Sequence, residues 1–197
     1  MLELETPHGL AQAQLHPADT PRAALVLGHG AGGGIASPDL VAATAAALAD
    51  RVTVALVEQP YRVAGRRSPS PAGQLDTAWT SVVDQLAAGP LNGLPLFTGG
   101  RSSGARVACR TAAATGAVGV ICLAFPLRPP GRSTAPSRLP ELESLTVPTL
   151  VIQGERDPFG IPPASALRTV VLVPGTHSLR AAKPITEAVQ SWLSQQG

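Results

Sequence analysis

The chain has 197 residues, 44% of them hydrophobic and 14% charged, with a formal net charge of +2. That length and apolar share suit one domain with a sizeable buried core, and so small a positive charge lacks the footprint of a general nucleic-acid binder. No uncharged apolar run reaches the roughly 18 residues that a bilayer span needs, and the opening MLELETPHG carries acids where a signal peptide carries a basic head, so a soluble cytoplasmic protein without a membrane partner is expected.

Residues 1 to 17 alternate loosely around Pro7-His8-Gly9, the pattern of an antiparallel hairpin at a sheet edge. Ala23 to Leu27 is a short apolar run that enters the glycine-rich Gly28-His29-Gly30-Ala31-Gly32-Gly33-Gly34. Ser37 then offers an N-cap and Pro38 a first helical position for a helix over Asp39 to Ala49. Val52 to Val57 is apolar and β-branched with little alternation, as expected of a fully buried parallel strand. Gly65 to Pro71 reads as a loop. From Leu75, the residues Leu75, Trp79, Val82, Val83 and Leu86 mark one face of a helix.

Leu94, Leu96 and Phe97 end the next strand, and Gly99-Gly100-Arg101-Ser102-Ser103-Gly104 turns sharply into an Ala-rich helix. Val118 to Leu123 is another buried strand, and Pro126 to Pro140 a loop rich in Pro, Arg and Ser. Pro148 introduces a strand over Thr149 to Gln153, and Val170 to Val173 is the last strand. Ile185, Val189, Trp192 and Leu193 mark a final amphipathic helix after Pro184. Strands and helices alternate with short connections, which predicts an open, mostly parallel sheet with helices on both faces. Cys109 and Cys122 fall in a helix and an apolar run, and read as small buried hydrophobes rather than a disulfide.

In such sheets, chemistry gathers beyond the carboxyl ends of the strands. Three residues follow three different strands there: Ser102 in Gly100-x-Ser102-x-Gly104, Asp157 in QGERDP, and His177 in PGTH. A serine hydroxyl is a poor nucleophile unless a base takes its proton, and an imidazole serves as that base when an acid fixes its tautomer. The order Ser, Asp, His and the G-x-S-x-G turn are the arrangement of an α/β-hydrolase. The strand ending at Leu123 is followed by no carboxylate, which leaves Asp157 as the acid. An oxyanion would be met by the backbone N–H of Ser103, after the nucleophile, and by that of Ala31 in the glycine loop. His29 is expected to brace that loop. Ser102, Asp157 and His177 are thus the expected catalytic residues, with Arg101, Phe125 and Arg128 as candidate contacts to substrate. Arg101, Arg128, Arg132, Arg156 and Arg180 flank strand ends, where they either receive an anionic group or form a solvated rim.

Gly28-x-Gly30-x-x-Gly33, with Glu58 ending the next strand, also matches a dinucleotide fingerprint. Against it, an edge hairpin precedes the strand, and the Ser37 cap starts the helix several residues beyond the glycines. No Lys follows Gly33 to make a P-loop, and no His, Cys or acid cluster has metal spacing. Neither a cofactor nor a metal is therefore expected.

The segments LGHGAGG, EQPYRVAGRRSP, GGRSSGARVA, FPLRPPG, QGERDPFG and GTHS together resemble the α/β-hydrolase family that includes testis-expressed protein 30 and the third subunit of the non-specific lethal chromatin complex. The resemblance spans nearly the whole chain. It implies the same fold, and a nucleophile, acid and base at Ser102, Asp157 and His177. Dienelactone hydrolases are more distantly similar, but their nucleophile is Cys where this chain has Ser102. The chromatin members resemble scaffolds, so the resemblance leaves a silent interaction module as the alternative to an enzyme.

The expected protein is thus a minimal α/β-hydrolase fold over 1–197, a serine esterase or thioesterase acting on a small molecule. Between Leu123 and Pro148 there is no room for a cap domain, so the pocket should be open. The Arg62 to Pro71 and Pro126 to Pro140 loops are its expected walls.

Overall fold

The computed structural model describes residues 1–132 and 134–196, leaving Ser133 of the expected Pro126 to Pro140 loop outside the described residues. Its centre is an eight-stranded sheet in the order β1-β2-β4-β3-β5-β6-β7-β8. The strands are β1 (Leu2–Thr6), β2 (Gly9–His16), β3 (Ala23–Gly28), β4 (Val52–Glu58), β5 (Leu96–Arg101), β6 (Gly119–Leu123), β7 (Thr149–Gly154) and β8 (Arg168–Val173). The hairpin β1-β2 lies antiparallel at one edge, and every pairing from β4 to β8 is parallel. This is an α/β-hydrolase fold.

Period-two alternation sorts each central strand between two apolar layers. Leu25, Leu27, Ile121, Leu123, Leu150 and Ile152 face one side, where α1 (Pro38–Ala49) and α6 (Ala182–Leu193) cover them. Ala24, Val26, Ala55 and Val57 face the other side against α3 (Ala72–Ala88), and Val120, Cys122 and Val151 pack there with α4 (Ser103–Thr111). Both layers exclude water, which explains why these strands read as continuous apolar runs rather than as alternating ones.

Several local expectations shift. The last helix begins at Ala182, with Pro184 inside its first turn, where a missing N–H costs nothing. Two short helices, α2 (Pro60–Val63) and α5 (Leu139–Glu143), fall in stretches read as loop or left unassigned, because four or five residues carry no usable periodicity. Ser37 does occupy the N-cap of α1, but its hydroxyl makes no capping bond, and the Leu40 N–H is met by Asp39 Oδ1 instead. Cys109 and Cys122 are free thiols in contact at 3.5 Å. The hydrogen bond to Cys122 and burial push the Cys109 thiol well above its ordinary range. Among the described residues, no helix is long and apolar enough to cross a membrane.

Candidate active site

Ser102 sits between β5 and α4 with φ +50° and ψ −106°, a backbone conformation that a side-chain-bearing residue adopts only under constraint. The constraint is visible on both sides of it. A Cβ on Gly104 would stand 2.5 Å from the Gly28 carbonyl oxygen and 2.8 Å from that of His29, so only glycine lets α4 start this close to the end of β3. The Ser102 N–H donates to the Leu123 carbonyl at 2.8 Å, which fastens the turn to β6. Strand, sharp turn and helix thus lift the hydroxyl above the carboxyl edge of the sheet.

The loops after β7 and β8 bring Asp157 and His177 to that hydroxyl. His177 Nε2 lies 2.9 Å from Ser102 Oγ, and His177 Nδ1 lies 2.8 Å from Asp157 Oδ2. A carboxylate only accepts, so the imidazole proton sits on Nδ1 and the Nε2 lone pair faces the serine hydroxyl. The Asp157 side chain has no exposed surface, and its other hydrogen bonds come from Gln153 Nε2 at 2.8 Å and the Phe159 N–H at 2.8 Å. Gln153 also donates to the Phe125 and Gly160 carbonyls, which pins the loop that carries Asp157. The Phe159 ring lies against the imidazole, with centroids 4.1 Å apart.

The glycine loop passes on the other side of Ser102. A Cβ on Gly30 would stand 2.7 Å from Arg101 Nη1 and 3.7 Å from Ser102 Cβ, so this glycine serves the approach of the loop to the turn. That is a different use from the cradling of a pyrophosphate in the dinucleotide fingerprint. His29 braces the loop as expected: Nε2 accepts the Gln59 N–H at 3.1 Å, and Nδ1 faces the Gly30 carbonyl at 2.8 Å. Burial lowers its affinity for a second proton. The Tyr61 hydroxyl donates to the Ala31 carbonyl at 3.0 Å, fixing that peptide from α2. The N–H groups of Ala31 and of Ser103, the first residue of α4, have no hydrogen-bond partner among the described residues.

Three expected contacts to substrate fare differently. Phe125 is corrected: its side chain is 0% exposed and packs inside the layer with Ala105 and Cys122, so it has no surface to offer a ligand. Arg101 lines the groove at the start of α1, and its guanidinium also has protein partners: its Nε pairs with the buried Asp39 Oδ2 at 2.8 Å and its Nη2 donates to the His177 carbonyl at 3.2 Å, so it joins three segments of the site together. Arg128 is exposed, on a groove beside Phe159. A second groove, of about 510 Å3, runs between the glycine loop, the start of α1 and Arg180. The Pro126 to Pro140 loop walls the first groove, whereas the Arg62 to Pro71 loop lines neither.

Sequence reasoning missed Gln153, Phe159, Tyr61 and Asp39. Gln153 carried a signal, as a polar residue that follows the apolar run Leu150 to Ile152 of β7, four residues before a candidate acid. Asp39 read only as a first-turn acid of a helix.

A sequence model described as an alpha/beta hydrolase domain matches residues 21–191. No curated protein sequence matches the chain. Among solved structures, XC6422 from Xanthomonas campestris, described as an α/β serine hydrolase without a lid, is similar with a TM-score of 0.80 at 20% identity, over 99% of this chain and 93% of that one. Est1E from Butyrivibrio proteoclasticus, solved with ferulic acid, is similar with a TM-score of 0.76 at 17% identity, over 100% and 99% of the two chains. A dienelactone hydrolase from Anabaena variabilis is similar with a TM-score of 0.75 at 18% identity, over 98% and 95%.

Proposed function

The chain belongs to the alpha/beta hydrolase domain family, and we propose that within it this protein is a serine hydrolase that cleaves an ester or thioester through an acyl-enzyme on Ser102. The observation that carries the reading is the unbroken chain from Asp157 through His177 to the Ser102 hydroxyl, at 2.8 and 2.9 Å.

The steps follow from that geometry. Ser102 Oγ attacks the carbonyl carbon as its proton passes to His177 Nε2, and Asp157 stabilises the imidazolium that forms. The carbonyl oxygen becomes an oxyanion, received by the N–H groups of Ser103 and Ala31. The imidazolium then gives its proton to the departing alkoxide or thiolate, leaving an acyl group on Ser102. A water molecule repeats the sequence, with His177 as its base, and releases the acid. Arg101 ties the His177 backbone to Asp39 at the start of α1.

Between β6 and β7 the one described helix is α5, of five residues, which supports an open pocket with a small-molecule ester or thioester as substrate. A cytoplasmic setting belongs to the same proposal, supported by two thiols in contact and unbridged. So does the narrower kinship with the testis-expressed protein 30 group, for which the GRR, FPLRPPG and RDPFG segments speak.

The test is a fluorophosphonate probe on the folded protein. Labelling of Ser102, lost in Ser102→Ala, is the expected result. Folded protein that takes no label at Ser102 would reject the enzyme in favour of a binding module.

A further inference from the structure

Among the described residues, three aspartates pair with arginines: Asp50 with Arg22, Asp76 with Arg110 and Asp39 with Arg101. The side chains of Asp50 and Asp76 are 27% and 24% exposed, whereas that of Asp39 is 1% exposed. A buried ion pair is a poor stabiliser of a fold, because the cost of taking both charges out of water offsets their attraction. What such a pair does provide is one defined arrangement of its groups, and this one stands beside the nucleophile.

The arrangement runs from Asp39 through Arg101 to the base. Arg101 is the last residue of β5, paired with Leu123 of β6, and the next residue is Ser102, so its backbone is fixed against the nucleophile. Its side chain reaches the loop after β8, where Nη2 donates to the His177 carbonyl at 3.2 Å. One residue therefore spans from nucleophile to base, and the guanidinium at its end is planar and rigid. Its flexible stem could still turn that plane away, because Arg101 lines the groove at the start of α1, where water is the alternative partner. Asp39 removes this freedom. Its Oδ2 lies 2.8 Å from Arg101 Nε, while its Oδ1 accepts the Leu40 N–H at 3.0 Å and anchors the carboxylate to α1. A Cβ on Gly30 would stand 2.7 Å from Nη1, so the glycine leaves room for this one orientation of the guanidinium.

We infer that Asp39 is a positioning residue for the reaction: by fixing the Arg101 guanidinium, it sets where the His177 backbone stands relative to Ser102. The inference rests on the serine hydrolase reading and deepens it. A misplacement of about 1 Å at reacting atoms costs up to about 100-fold in rate. Loss of Asp39 therefore belongs in kcat, because the step that suffers is proton transfer between Ser102 Oγ and His177 Nε2. If Asp39 served only as a first-turn acid of α1, its loss would lower stability and leave turnover unchanged.

Asp39→Asn separates the two, since its amide oxygen still accepts the Leu40 N–H and only the charge that fixes Arg101 is gone. On 4-nitrophenyl acetate, with protein whose circular dichroism matches wild type, kcat should fall about tenfold while KM stays within about twofold. Labelling of Ser102 by a fluorophosphonate should slow in step. The downfield proton resonance of His177 Nδ1–H should broaden through faster exchange with water. Arg101→Gln added to Asp39→Asn should lower kcat by less than about threefold more, because the guanidinium is already released. That double variant strands no buried charge, so it carries the same test should Asp39→Asn alone prove unstable. Asp76→Asn, which breaks the half-buried pair with Arg110, should leave kcat within about twofold of wild type. Wild-type kcat and labelling in Asp39→Asn overturn the inference and leave the hydrolase reading standing. A further large loss on adding Arg101→Gln overturns the route through Arg101. Wild-type protein that neither turns over the ester nor takes the label ends the hydrolase reading, and the inference with it.

Discussion

Ser102 and His177 meet at 2.9 Å, yet the chain holds the two by different means. Ser102 is held by backbone: a φ of +50°, a hydrogen bond from its own N–H to Leu123, and flanking glycines that admit no side chain. His177 sits in a loop after β8 and is held by side chains that come from elsewhere, with Asp157 on Nδ1, Phe159 against the ring face and Arg101 on its carbonyl. A backbone constraint leaves its mark in the sequence at the residues that bear it. A side-chain clamp is spread over residues far apart in the chain, each of them ordinary alone.

The largest break in that comparison falls on the side-chain half. Asp157→Asn keeps the volume but removes the charge and the fixed acceptor for Nδ1–H, so the imidazole is free to take the tautomer that turns an N–H towards Ser102. The expected loss is about 10⁴-fold in kcat, with KM little changed, measured on any ester that the wild-type protein turns over. A loss confined to KM would mean that Asp157 orders the groove rather than the base.

The backbone half breaks by a different route. Gly104→Ala places a methyl against two backbone carbonyls that no rotamer change can move, so β3 or α4 must shift. Overpacking of this kind costs about 1 to 3 kcal/mol, read from denaturant unfolding, and the displaced turn should also label more slowly with a fluorophosphonate. Gly33→Ala in the neighbouring loop, where an added Cβ meets nothing within 4 Å, is the control and should stay within about 0.5 kcal/mol of wild type. Equal effects at the two positions would deny the turn its tight fit.

What could be read in advance follows the same division. The layer structure was legible, since Leu25 and Leu27 or Ile121 and Leu123 alternate with small apolar neighbours that face the opposite helices. So was the turn at Ser102, because its glycines are required by the local geometry. The role of Arg101 was not. Its position beside Ser102 says nothing of a partner, and only the fold reveals that Asp39, 62 residues earlier, lies within 2.8 Å of it, nearly without exposure. Phe125 failed for the complementary reason: a residue just past a strand end reads as lining a pocket, but β6 ends in a positive φ at Ala124 and the ring goes into the apolar layer.

The smallest expected effect tests a side chain that serves the backbone half, His29. Its Nε2 accepts the Gln59 N–H inside a buried setting, and burial holds its pKa below the ordinary 6.5. In the unfolded chain the same imidazole takes up a proton near 6.5, so below that pH the unfolded state binds more protons than the folded one and stability falls as pH drops. The contribution is complete above about 6.5 and declines until the folded-state imidazole itself titrates. His29→Asn cannot titrate, and its side-chain oxygen can still be offered to Gln59. Its unfolding free energy should therefore lie about 1 kcal/mol below wild type near neutral pH, the worth of one imperfectly replaced hydrogen bond, with the gap closing between pH 7 and pH 5 as the wild-type protein loses its advantage. The difference between the two proteins cancels the other histidines. A gap that stays constant with pH would place the proton elsewhere and leave His29 as a packing residue, whereas a closing gap would tie the acid sensitivity to the imidazole that braces the glycine loop.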